Sequence, residues 1–324
     1  MSQLNQILTQ ECVDDHGGHM IKMKTAAMLI GLSLSGLSLA CSNDGKDGFL
    51  PENDMNIPVG YKSVNGGISE EEFNTAIDEV QNVYESIVAS AGAKLMIERK
   101  WTDGTVNAYA SQSGKTWKVA MFGGLARHET ITKDGMNLVV CHELGHHLGG
   151  APKVGGSSSG GGWWGGNTSG TTQWASNEGQ SDYFATLKCL RKVYLNDDNA
   201  KIVAAMEVPK ALTDACSKQN KGDKEETAMC IRMGMAGQSV ANLFSVLSKL
   251  PVSKFDSPDK GVVTKTNDAH PKAQCRLDTY FQGALCDINM NEDVSNSDEM
   301  KGTCNTASGH KIGVRPLCWF KPAK

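Results

Sequence analysis

The chemistry of this chain is most legible in five consecutive residues, His142-Glu143-Leu144-Gly145-His146. On an α-helix, residues four apart share a face, so the two imidazoles can reach a single metal ion. Glu143 lies about 100° round the same helix, where it meets a water beside the metal rather than the metal itself. Such a set supports hydrolysis, with a polarised carbonyl and a carboxylate that takes a proton from water. Two histidines leave a catalytic metal one ligand short, because these sites take three protein ligands and keep one position open. An H-E-x-x-H-x-x-G-x-x-H pattern is excluded: Gly149 is present, but Pro152 stands where the third histidine belongs. Glu178 is the better candidate. It opens a later helix, with Asp182 one turn on and on the same face. In that E-x-x-x-D pair Glu178 binds metal while Asp182 accepts a hydrogen bond from a ligating imidazole and fixes its tautomer.

These residues need elements to position them. Met136, Leu138, Val139 and Val140 precede the motif, so its helix is expected to cross the core with a polar turn opening into a cleft. Upstream, Ser69 with Glu72 forms a capping box, and Ile68 with Phe73 has the spacing of a hydrophobic staple. Phe73, Ile77, Val80, Tyr84 and Ile87 continue that helix as an apolar stripe. Strands are expected at 94–101 and 105–110, flanking a turn at Asp103-Gly104, and at 117–122. The last strand ends in Gly123-Gly124 just before the metal helix. As the edge of the cleft it can pair with an extended peptide, which makes Met121, Phe122, Gly123 and Gly124 the expected substrate-binding residues. Residues 152–176 form a Gly/Ser-rich loop with Trp163, Trp164 and Trp174, either a flap over the cleft or a packed-down insertion. Phe184, Leu187, Leu190 and Tyr194 give the helix after Glu178 a buried side, while 196–235 reads as short surface helices. A further amphipathic helix carries Val240, Leu243, Phe244, Leu247 and Leu250 and stops at Pro251. Pro271 is placed to begin the helix of Arg276, Leu277 and Phe281. His147 points off the metal face and reads as support or packing; His128 and His310 have no partners in sequence.

Composition sets outer bounds. The 324 residues are 40% hydrophobic and 21% charged, enough for a sizeable core. A net charge of −4 gives no argument for nucleic acid as a partner. Lys22 and Lys24 precede an apolar run from Ala26 to Ala40, too short to span a bilayer and laid out like an export signal. Residues 1–19 lack Lys and Arg, so synthesis is expected to start at Met20 or Met23. Leu39-Ala40-Cys41 resembles a lipoprotein signal with a lipid anchor at Cys41, although Ser38 departs from it; the alternative is a soluble periplasmic or secreted product. Residues 42–66 read as a tether and 67–324 as one domain with a Cys-bearing tail. Setting aside Cys12 and Cys41, eight cysteines remain, an even number that suits disulfides in an oxidising compartment. Their pairing is open.

Several of these pieces occur in one order: Asn107-Ala108-Tyr109-Ala110, the strand 119–125, HELGH, Glu178-x-x-x-Asp182, and His270-Pro271 with Arg276. Together they resemble the HtpX heat-shock protease and CAAX prenyl protease family of zinc peptidases. The resemblance implies an α+β, zincin-like fold, mostly helical, with a small mixed sheet whose edge strand borders the active-site cleft. It implies one catalytic Zn2+ on His142, His146 and Glu178, with Glu143 as general base and Asp182 behind a ligand. His270 is the candidate donor to the oxyanion, or else caps its helix, and Arg276 is the partner of a site carboxylate, Asp182 first, or else structural. The chain departs from the family in its eight cysteines, its Trp-bearing loop, Ala269 before His270, and no membrane span after the leader. The expected function is a zinc metalloendopeptidase acting on protein or peptide substrates in the cell envelope or outside the cell. The alternatives are a binding or chaperone lipoprotein that keeps zinc as scaffold, against which Glu143 argues, and a hydrolase of cell-wall peptides.

Overall fold

In the computed structural model the described residues are 38–39, 48–61, 66–154 and 174–322. Of the leader expected over 1–41 only Ser38 and Leu39 are among them; the rest of it with Cys41, and the centre of the loop with Trp163 and Trp164, lie outside them.

Helix α1 (Glu70–Ser90) begins at the capping box: the Ser69 hydroxyl accepts from the Glu72 amide, and the Glu72 carboxylate accepts from the Ser69 amide at 2.9 Å. Glu70, Glu71 and Glu72 occupy its first turn, where the helix dipole favours negative charge. Its stripe of Phe73, Ile77, Val80 and Tyr84 is buried.

The sheet has the order β1-β3-β4-β2, in which β1 (Ser38–Leu39) adds two residues to the three strands β2 (Lys94–Lys100), β3 (Ala108–Ser113) and β4 (Thr116–Phe122). β3 and β4 form an antiparallel hairpin, turned at Gly114 with φ 59°, a left-handed conformation that suits glycine. β2 runs parallel to β4, Lys94 opposite Thr116 and Lys100 opposite Phe122. Two expectations are corrected here. Asp103-Gly104 does turn the chain, but it does not join paired strands. The Asp103 carboxylate accepts from the Thr105 amide and hydroxyl, while its carbonyl accepts from Gly124, so the chain crosses the end of the sheet. Second, β4 is flanked on both sides, so Met121, Phe122, Gly123 and Gly124 offer no free edge. All four are buried, and a Cβ on Gly123 would lie 1.8 Å from the Trp101 carbonyl oxygen.

After the short α2 (Gly123–Ala126), α3 (Lys133–Leu148) carries the HELGH motif and is buried from Asp134 to His147. α4 (Glu178–Phe184) runs on through a π-turn (Ala185–Cys189) into α5 (Leu190–Val193). α6 (Asn199–Val203), α7 (Lys210–Gln219), α8 (Lys224–Leu247) and α9 (Ala273–Leu285) follow. α3 is the hub, packed on α1, α4, α8 and β3. α8 is longer and deeper than its charged first half suggests. Arg232, buried, is held in a bidentate pair with Asp134 at 2.9 Å and by Asp197 at 2.6 Å, over the Tyr194 ring.

Part of the stretch expected to be a tether belongs to the body. Phe49 and Leu50 are fully buried, and the Ile57 amide donates to Gly104. The eight cysteines pair as Cys141–Cys189, Cys216–Cys230, Cys275–Cys318 and Cys286–Cys304. No helix among the described residues is long and apolar enough to cross a membrane. The protein is α+β with a small mixed sheet, and four disulfides suit an oxidising environment.

Candidate metal centre

Thr132 caps α3 by accepting from the Gly135 amide, and Asn177 caps α4 by accepting from Gln180. Where the two helices meet, a Cβ on Gly145 would lie 2.9 Å from Ser181 Cα. Glycine at that turn is what lets α4 come close enough for Glu178 to face His142 and His146. The carboxylate lies 3.3 Å from His142 Nε2 and 3.5 Å from His146 Nε2. All three ligand atoms fall within 4.8 Å of one another.

The outward nitrogens are fixed from behind. His142 Nδ1 meets Asp182 Oδ1 at 2.8 Å, and the same oxygen accepts from Arg276 Nη2 at 2.6 Å and Tyr280 Oη at 2.7 Å. His146 Nδ1 donates to the Ser176 carbonyl at 2.8 Å, with the Ser181 hydroxyl at 3.1 Å. These bonds leave Nε2 of both rings directed at the common point. There His142 Nε2, His146 Nε2 and Glu178 Oε2 have no hydrogen-bond partner among the described residues, nor do the two oxygens of Glu143. A buried polar atom left unpaired costs about 1–3 kcal/mol. A divalent cation at that point satisfies the two nitrogens and Glu178 at once, so the donor set of two imidazoles and a carboxylate fits such an ion.

The electrostatics of the metal-free site are consistent with this. Burial disfavours a charged His142, but Asp182 and Glu178 beside it outweigh that and raise its pKa to about 9. His146, backed by a carbonyl and a hydroxyl, is lowered by burial to about 4. Burial raises Glu178 as well, yet His270, His146 and His142 more than offset it and hold this carboxyl below its usual range. Burial raises Glu143 to about 8.

The sequence candidates His142, Glu143, His146, Glu178, Asp182, His270 and Arg276 are thus brought together. His270 Nε2 lies 3.5 Å from Glu178 and donates to the Gly48 carbonyl at 2.8 Å. Met121 and Phe122 pair within the sheet, and Gly123 and Gly124 pack against Trp101 and Gly104. His142, Glu143 and His146 are wholly buried and Glu178 is 5% exposed. His147 is packing: it stacks between Trp117 at 5.1 Å and Trp174 at 4.7 Å, and bonds to Gln112 and the Lys118 carbonyl. It pins α3 to the hairpin.

Other residues at the site escaped sequence reasoning. Tyr280 lies four residues after Arg276 on one helix face, a spacing that could have revealed it. Asn177, besides capping α4, donates to Asp268 at 3.1 Å and so ties Glu178 to the loop of His270. Ser176 acts through its carbonyl, for which a side chain gives no signal. Phe49, with its ring 4.8 Å from that of His142, is remote in sequence. A comparison of the chain with protein-family models, curated proteins and solved structures finds no match.

Proposed function

We propose that this protein is a zinc-dependent metalloendopeptidase of the gluzincin type, with a zincin-like fold akin to the HtpX and CAAX prenyl protease family. The observation that carries the reading is the convergence of three buried, unpartnered ligand atoms beside an unpartnered carboxylate. A bound zinc ion supplies Lewis-acid polarisation of the scissile carbonyl and of a water. His142, His146 and Glu178 would hold it; Asp182, oriented by Arg276 and Tyr280, would keep His142 in its ligating tautomer. Glu143 accepts the proton of the attacking water and returns it to the leaving amine. His270 Nε2 lies 3.5 Å from Glu178 and gives its proton to the Gly48 carbonyl, so it serves an oxygen that gains charge only by exchanging that bond.

A base beside the metal favours catalysis over a scaffold role, since a purely structural site has no use for Glu143. The disulfides and the leader-like N-terminus support an exported protein, periplasmic or anchored through Cys41, whose substrates are proteins or peptides. Glu143→Gln tests the assignment: zinc content is retained, and cleavage of a peptide library falls by at least about 100-fold, the scale of a lost general base. Undiminished cleavage by that variant would remove Glu143 from the mechanism.

A further inference from the structure

Three residues far upstream form part of the metal centre. Gly48, Phe49 and Leu50 lie along β3, and all six of their backbone polar groups are bonded. The Phe49 amide donates to Ala108 at 2.9 Å, and Gly48 donates to the Leu50 carbonyl at 3.1 Å. Asn107 clamps Leu50 from both sides, accepting from its amide at 2.9 Å and donating to its carbonyl at 3.2 Å. The other two carbonyls face the site: Gly48 accepts from His270 Nε2, and Phe49 accepts from Arg276 Nη1 at 3.2 Å. The Phe49 ring, fully buried, stands edge-on to His142, 5.4 Å from Phe244, with the Arg276 guanidinium 4.8 Å above it. A Cβ on Gly48 would fall 2.2 Å from the Ala108 oxygen and 2.6 Å from the Tyr109 ring. The segment is therefore seated as closely as glycine permits.

We propose that Gly48–Leu50 is a built-in wall of the metal centre, with Phe49 a positioning residue for His142 and Arg276 and the Gly48 carbonyl an anchor for His270. Phe49 fills the space on the flank of the His142 ring, while Asp182 holds its Nδ1; without Phe49 that ring and the Arg276 side chain lose a fixed side. Because the Phe49 amide already uses the Ala108 carbonyl, an extended substrate cannot pair with β3 at that residue.

The proposal rests on the metal reading of the site, and the two can fail separately. The purified chain is compared with Phe49→Ala, Phe49→Leu and a control, Phe73→Ala, which removes an equally buried ring that packs on Trp101 instead. The Zn2+ dissociation constant is measured by competition with a chromophoric chelator, and the visible spectrum of the Co2+-loaded protein is recorded. Phe49→Ala is expected to weaken Zn2+ binding by about 10–100-fold, the range for residues that orient a ligand, and to shift the Co2+ bands. Phe49→Leu, which keeps apolar bulk, falls between. Phe73→Ala lowers the melting temperature and leaves affinity and spectrum unchanged. If Phe49→Ala does not fold, Gly48→Ala displaces the same strand and is expected to weaken Zn2+ binding likewise. Wild-type affinity and spectrum in Phe49→Ala, or equal weakening in Phe73→Ala, overturns the proposal alone. A wild-type chain that binds neither ion overturns the metal reading with it.

Discussion

His142 and His146 sit one helical turn apart yet differ in what backs them. Asp182 backs His142 with a charge, and neutral oxygens back His146, so in the metal-free protein the first carries a proton at neutral pH and the second does not. To ligate, His142 must give that proton up. The sign follows: below pH 9 protons compete with the metal at His142, so affinity is expected to rise as pH increases from about 6.5 towards about 9, with proton release on binding. Titration calorimetry in buffers of different ionisation enthalpy measures the protons released; an affinity that is flat from pH 6 to 9 with no release contradicts the assignment. The residues of this site most legible in sequence are those whose spacing is set by one helix, His142 and Glu143 with His146, and Glu178 with Asp182; His270 and Arg276 were legible only through the order of motifs. Tyr280 was missed although its spacing from Arg276 on one helix face carried a signal, and Ser176 was not legible because a supporting carbonyl leaves no side-chain pattern.

At the scale of elements, α3 supplies both histidines and is held at both ends. Its first turn is locked by Asp134 to Arg232 of α8, a pair buried on both sides. Arg232→Ala leaves that carboxylate without its partner and is expected to cost about 3–5 kcal/mol in urea unfolding; a loss under about 1 kcal/mol contradicts the role. At mid-helix the Cys141–Cys189 disulfide, next to His142 in sequence, joins α3 to the π-turn that continues α4, and near the other end His147 stacks between Trp117 and Trp174. The helices themselves were readable from their caps and apolar stripes, as α1 shows. The sheet was less so. Alternation located the strands to within a few residues, but pairing depends on contacts between separate segments. Asp103 and Arg127 draw the chain between β2 and β3 across the sheet end. That makes β4 central, and with it the expected substrate edge was misplaced.

Across the whole molecule, cross-links do much of the fastening. The four loops they close span 14 to 48 residues in sequence, worth about 3–4 kcal/mol each in a chain-entropy account. Two of them pin the tail, where Trp319 is buried against Gly179 in the first turn of α4 and donates to Thr279 at 3.0 Å. Reduction of the native protein is therefore expected to lower its melting temperature by more than 10 °C and to release bound metal in the same transition; a reduced protein that melts unchanged and keeps its metal contradicts this bracing role. The even cysteine count made disulfides legible in sequence, while the pairing needed the fold. The same holds for the N-terminal segment, whose polar composition concealed that Phe49 and Leu50 complete the core.

The most direct measurement is anomalous diffraction at the zinc edge from crystals grown with one equivalent of Zn2+. The account predicts a single peak per chain, about 2.0–2.2 Å from His142 Nε2, His146 Nε2 and a Glu178 oxygen, and its loss in Glu178→Ala. Zinc found only elsewhere, or an unchanged peak in Glu178→Ala, would contradict it.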